Sequence, residues 1–220
     1  MHAPRISTGG ASANSTELRD VFVRRVHQLV RLGYERLNPA DHAKAQEPAI
    51  TGDLHVAIET VLDHPTEDWM RLYSAHDDPA ENDGRRKGKQ RKRIDLRIDS
   101  AFNSPRCRFR FEAKRLGKRH PAKVYLGSEG LGCFLCGNYA RQEDHAGMLG
   151  YVQSGDLADW ADALCDELQH DPQSYEFNLA TSFTAIPNEV SNGRCSYQSQ
   201  HARPTLGRSI LIDHILLKLH

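Results

Sequence analysis

No stretch of the chain holds the roughly 20 consecutive apolar residues that a membrane-spanning helix needs. Residues 1–15 are rich in Ser, Gly, Ala and Pro and contain no apolar core of the signal-peptide kind. A cytoplasmic protein is therefore expected, with residues 1–15 disordered and residues 16–220 forming one domain. Cysteine is scarce. Five residues, an odd number without framework spacing, make no disulfide scaffold and suit a reducing compartment. Cys133-x-x-Cys136 has no second Cys or His pair at zinc-finger spacing, and its Gly-Cys-Phe-Leu-Cys-Gly setting reads as small apolar packing. Net charge is absent as well, because 29 Lys and Arg balance 29 Asp and Glu. Whole-chain electrostatics thus favours no class of partner. No internal repeat is visible.

The charge that is present is unevenly spread. Residues 85–123 carry sixteen Lys and Arg against three Asp and Glu, which leaves the rest of the chain acidic. The densest part comprises Arg85, Arg86, Lys87, Lys89, Arg91 and Lys92, with Arg115 and Lys118 further on. A concentrated basic run of this kind is the electrostatic footprint of a nucleic-acid backbone partner. A solvated loop or a localisation signal is the plainer reading. Direct continuity with the next segment favours the first.

That segment alternates strictly. Ile94, Leu96 and Ile98 interleave with polar residues, and further on Cys107, Phe109, Phe111 and Ala113 do the same. Alternation of period two predicts two half-buried strands, with Asp95, Glu112 and Lys114 on the polar side. The intervening Asn103-Ser104-Pro105 has turn chemistry. A hairpin centred on Asn103-Ser104 pairs residues whose numbers sum to 207, and so sets Asp95 opposite Glu112. Facing carboxylates repel unless a cation lies between them, so the pair points to a metal site.

Asp95 with Glu112-Ala113-Lys114 resembles the signature of the PD-(D/E)xK, or restriction-endonuclease-like, nuclease superfamily. Ile94 replaces the Pro that usually precedes the Asp. The resemblance implies an α/β fold with an αβββαβ core, a mixed central sheet flanked by helices. It also implies a nuclease dependent on Mg2+ or Mn2+, acting on nucleic acid with DNA favoured. Asp95, Glu112, the Ala113 carbonyl and an upstream acid would hold the metal, and Lys114 would orient or deprotonate the attacking water. Glu47, at a helix entrance, is preferred to Glu59 as that acid. The glycine-rich stretch from Gly130 and the apolar run after Ala146 suggest kinship with stand-alone nucleases of bacterial antiviral defence. Homodimerisation, or an ATPase or helicase partner, is compatible with this reading. The competing expectation is a catalytically silent subunit that keeps the fold to grip duplex or dock a larger complex.

The remaining elements are read from periodicity. Helices are expected over residues 16–32 (stopped by Gly33), from Glu47 through Leu62, over most of 125–140 and over 157–168. Further strands are expected near 69–73, 146–152, 175–183 and 209–219. His214 reads as a satisfied core histidine, and His201 with Arg203 as either a phosphate site or an anchor for the last strand. Tyr139 and Gln142 are placed near the metal. Backbone amides around Ser128-Glu129-Gly130 are candidates for phosphate binding or a simple turn.

Overall fold

A computed structural model of the protein describes residues 10–81, 88–102, 106–187 and 193–220, with side chains from residue 16 onward. Asn103, Ser104, Arg85, Arg86 and Lys87 lie outside the described residues, as do residues 1–9.

Among the described residues seven strands form one mixed sheet in the order β1-β2-β3-β4-β7-β6-β5. They are β1 (Tyr73–Asp77), β2 (Leu96–Ser100), β3 (Cys107–Leu116), β4 (His145–Val152), β5 (Thr184–Ala185), β6 (Arg194–Arg203) and β7 (Arg208–Lys218). The β1–β2 and β2–β3 pairs are antiparallel, as are β5–β6 and β6–β7, whereas β4 runs parallel to both β3 and β7. Helices α1 (Gly10–Tyr34), α2 (Pro39–His42), α3 (Glu47–Asp63), α4 (Ala122–Tyr125), α5 (Leu131–Leu135) and α6 (Leu157–His170) flank the sheet.

The alternation in β2 and β3 builds the first core. Leu96, Ile98, Phe109, Phe111 and Ala113 pack with Val26, Leu29, Leu54 and Ile58 of α1 and α3. On the opposite side Leu116, Met148, Leu216 and Ile212 join Tyr125, Phe134 and Leu164 in a second core under α4, α5 and α6. Burial on both faces explains why β4 reads as a continuous apolar run. Gly147 within it is held by space, because a Cβ there would lie 2.3 Å from the Phe111 ring.

Several expectations shift. α1 begins at Gly10 rather than Thr16 and continues through Gly33 to Tyr34. Gly33 does not stop the helix. It lets α3 approach, since a Cβ would sit 2.6 Å from Ile58 Cγ1. Residues 69–72 form a 3-10 turn, and the first strand starts at Tyr73. The long helix expected over 125–140 is two short ones separated by a turn through Gly127 and Gly130. No strand spans 175–183; instead β6 follows at Arg194–Arg203.

β6 is polar yet buried, and a hydrogen-bond network makes that burial tolerable. Ser199 Oγ lies 2.6 Å from His201 Nε2 and 2.7 Å from His214 Nε2, while Tyr125 Oη reaches His214 Nδ1 at 3.1 Å. His201 Nδ1 must donate to the Tyr175 carbonyl at 2.7 Å, which fixes every proton in the chain. Tyr125 donates to His214, His214 to Ser199, and Ser199 to His201. Both imidazoles are neutral. Burial pushes His201 down to about 4, and burial with neighbouring His201 pushes His214 down to about 3. Arg203 is also buried and donates to the Ala140 and Glu143 carbonyls, so it anchors a loop and is turned away from any phosphate. On the first face, His27 and His145 each lie 2.9 Å from one oxygen of buried Asp213, and Gln198 donates to the other. Burial alone would raise Asp213, but the two imidazoles hold it below the usual carboxylate range.

Candidate active site

The expected hairpin register is the one observed. Leu96 pairs with Phe111, Arg97 with Arg110 and Ile98 with Phe109, so paired numbers sum to 207. β3 continues beyond this ladder, which among the described residues ends at Leu96 and Phe111. The Ala113 and Arg115 N–H groups therefore point past the start of β2. Two carboxylates take them: Asp95 Oδ2 accepts from Ala113 at 2.7 Å, and Glu47 Oε2 accepts from Arg115 at 3.2 Å. Lys114 closes the cluster. Its ammonium donates to Glu112 Oε1 at 2.7 Å, to Glu47 Oε1 at 3.0 Å and to the Ala113 carbonyl at 2.7 Å.

Asp95, Glu112, Lys114, Ala113 and Glu47 thus meet at one end of β3. Glu59 does not join them; it lies exposed on α3 and faces His55 at 3.6 Å. Within the hydrogen-bonded set three carboxylates face one ammonium, and the surplus is electrostatically costly. Burial first, then the Asp95 charge, pushes Glu112 up to about 8 despite the contact with Lys114. Burial also raises Asp95, against the opposing Ala113 hydrogen bond. For Lys114 burial acts downward, but Glu112, Glu47 and Asp95 outweigh it and leave the ammonium above the ordinary lysine value. Lys114 is thus held as a cation by the carboxylates around it. Glu112 Oε2 is buried with no hydrogen-bond partner. Among the described residues no three His, Cys, Asp or Glu side chains are already gathered as a metal-ligand group.

The basic run stands on this site. Asp78 donates its N–H to the Asp95 carbonyl, Ile94 to Pro79 and Glu81 to Lys92, at 3.0, 3.2 and 2.7 Å. The β1–β2 pairing is thereby prolonged into an arm, with Ala80 bridged to Arg93. Arg110, buried on β3, braces its base through Glu81 and Glu143. At the far end Lys89 is exposed, and Arg91 and Lys92 are half-buried. Lys118 is exposed and Arg115 half-buried just beyond Lys114.

α5 and its following loop form the inner wall. Tyr139 Oη donates to the Arg93 carbonyl at 2.8 Å, beside Asp95, whereas Gln142 is exposed and its carbonyl accepts from Arg208. Cys133 is buried and pushed up to about 12, by burial first and then by the Glu112 carboxylate it faces. At Gly130 a Cβ would lie 2.0 Å from the Tyr125 carbonyl, so that glycine serves a tight turn.

Residues that the sequence did not mark also shape the site. Thr51, Tyr151 and Gln153 touch the start of α3, and Arg110 holds the arm. Only Arg110 carries a readable signal, a charge on the same strand face as Glu112. Comparison with models of protein families, with curated proteins and with solved structures finds no match.

Proposed function

We propose that the protein is a divalent-metal-dependent nuclease of restriction-endonuclease-like architecture, hydrolysing phosphodiester bonds in nucleic acid, with DNA favoured. The observation that carries this reading is the gathering of Glu47, Asp95 and Glu112 at one end of β3, where Lys114 is the single ammonium of the hydrogen-bonded set and pairs with Glu47 and Glu112. Three carboxylates against one cation leave an excess of negative charge that a dication would balance. The orphaned, buried Glu112 Oε2 fits such an ion. Asp95, Glu112 and the Ala113 carbonyl would hold Mg2+ or Mn2+, with Glu47 alongside. Two carboxylates and a carbonyl suit Mg2+, which keeps several waters. When bound, the metal would supply Lewis-acid polarisation of the phosphate and a more acidic water.

The chain's own groups do the rest. Lys114 sits where its charge would offset the negative charge developing on the phosphate. The arm that grows from Asp95 would lay Lys89, Arg91 and Lys92 along the backbone of the substrate, and the charges of Arg85, Arg86 and Lys87 in the same run would add to the attraction. Arg115 and Lys118 would extend that contact on the far side. Incubation with supercoiled plasmid tests the reading. Nicking that requires Mg2+ or Mn2+ and is abolished by EDTA supports it. Binding of duplex without cutting at any metal concentration would replace it with the silent binding subunit.

A further inference from the structure

Resting on the nuclease reading, we infer that Tyr151 and Gln153, at the end of β4, are positioning residues for Glu47. Glu47 opens α3, and the N-cap Gln46 makes no side-chain capping bond to its first turn. Two side chains from the sheet brace this end of the helix. The Gln153 amide donates to the His42 and Ala45 carbonyls, both at 2.8 Å, just before the helix begins. Gln153 is itself tied to β3, its N–H donating to the Leu116 carbonyl at 2.8 Å.

Tyr151 acts from within the core. Its hydroxyl lies 2.9 Å from Thr51 Oγ1, and Thr51 Oγ1 lies 3.0 Å from the Glu47 carbonyl. A carbonyl only accepts, so Thr51 gives its one proton to Glu47 and Tyr151 must donate to Thr51. The relay ends on the backbone of the residue whose carboxylate meets Lys114 and the Arg115 N–H. Because β4 pairs with β3 through Tyr151 and Arg115, both ends of the relay refer to the same strand. Glu47 is thus set by the sheet that carries Glu112 and Lys114, and helix packing alone need not place it.

The test uses Tyr151→Phe and Gln153→Ala in the full chain. Each should raise the Mn2+ concentration for half-maximal cleavage by roughly 10-fold, the lower end seen when supports of metal ligands are removed. The rate at saturating Mn2+ should hold. Combining either with Glu47→Ala should add nothing to the effect of Glu47→Ala, since the path runs through that carboxylate. Independently of activity, hydrogen exchange at the Arg115 amide should quicken by about 10-fold while that of Phe109 stays constant. Additive effects, or an unchanged Arg115 amide, would overturn the inference. If the wild-type chain cuts nothing, the nuclease reading fails, and the Arg115 amide alone decides whether these side chains position Glu47.

Discussion

Asp95 is bonded to the backbone of Ala113, the residue between Glu112 and Lys114, and to no side chain of the cluster. Its carboxylate occupies the place of the next strand residue and completes a ladder that β2 leaves short. Removing it would orphan a buried N–H as well as a charge, and an alanine variant would confuse the two losses.

Asp95→Asn separates them. The amide oxygen can still accept from Ala113, so the fold should stand within about 1 kcal/mol. Metal-dependent cleavage should fall by roughly 100-fold or more, with weaker Mn2+ binding by calorimetry. Lys114→Ala should do the opposite to the metal, since it leaves the carboxylates uncompensated. Mn2+ should bind more tightly while the rate drops by about 100- to 10,000-fold. Wild-type cutting by both variants would remove these residues from the chemistry.

Glu112 gives a stability prediction with a definite sign. Its folded pKa of about 8 lies above the ordinary 4.5. Between these values the folded protein keeps a proton that the unfolded chain has released, so stability falls as pH rises through the window. Glu112→Gln carries no such penalty. In metal-free buffer it should match wild type near pH 4 and exceed it by roughly 3 kcal/mol at pH 8.5, after discounting for the Lys114 contact. Urea titrations at the two pH values measure this; a variant weaker than wild type at pH 8.5 would contradict it.

His201 and His214 act at the other end of the scale. Unfolded imidazoles protonate below about 6.5, whereas the folded ones wait until about 4 and 3. Their contribution is therefore present at neutral pH and is lost as pH falls from 6.5 toward 4. At ~1.4 kcal/mol per pH unit for each group, the pair should cost ~2–3 kcal/mol per unit between pH 6 and 4.5. Urea unfolding in the Glu112→Gln background isolates this slope from the opposing Glu112 term. A flat profile there would mean that the network admits a proton.

The basic arm makes a prediction about salt. Neutralising phosphates releases condensed counterions, so duplex affinity should fall steeply with ionic strength. Replacing four of Arg85, Arg86, Lys87, Lys89, Arg91 and Lys92 by Ala should flatten the log affinity against log salt plot by about 3 to 4 units. An unchanged slope would make the run a free loop.

The hairpin was legible because its two signals are local: alternation fixes the face, and the turn-forming residue types between the two runs predict the register that the strands adopt. Glu47 was legible for a related reason, since a helix entrance can reach a strand end as mid-helix Glu59 cannot. β6 was hidden. Its Ser199, His201 and Arg203 look solvated in sequence, and only distant partners such as Tyr125, Tyr175 and Ala140 make them interior residues. The broken helix over 125–140 was missed because its apolar spacing also suits two short helices, and the turn at Gly130 depends on a backbone approach from Tyr125. Gln153 gave no sign at all, as a lone amide after a strand carries no pattern.

The place of β7 bears on how the chain acquires its shape. It lies between β4 and β6, with His145 beside Leu211 and Val152 beside Lys218. A central strand is thus supplied by the last of the seven in chain order. The β2–β3 hairpin can form early from near neighbours, but β4 must hold one edge open until residues 208–218 have been made. Pairings of such long range are slow to close, and an apolar open edge invites other chains meanwhile. Misassembly during synthesis should therefore begin at β4, along the edge turned away from β3 and the hairpin that carries Asp95.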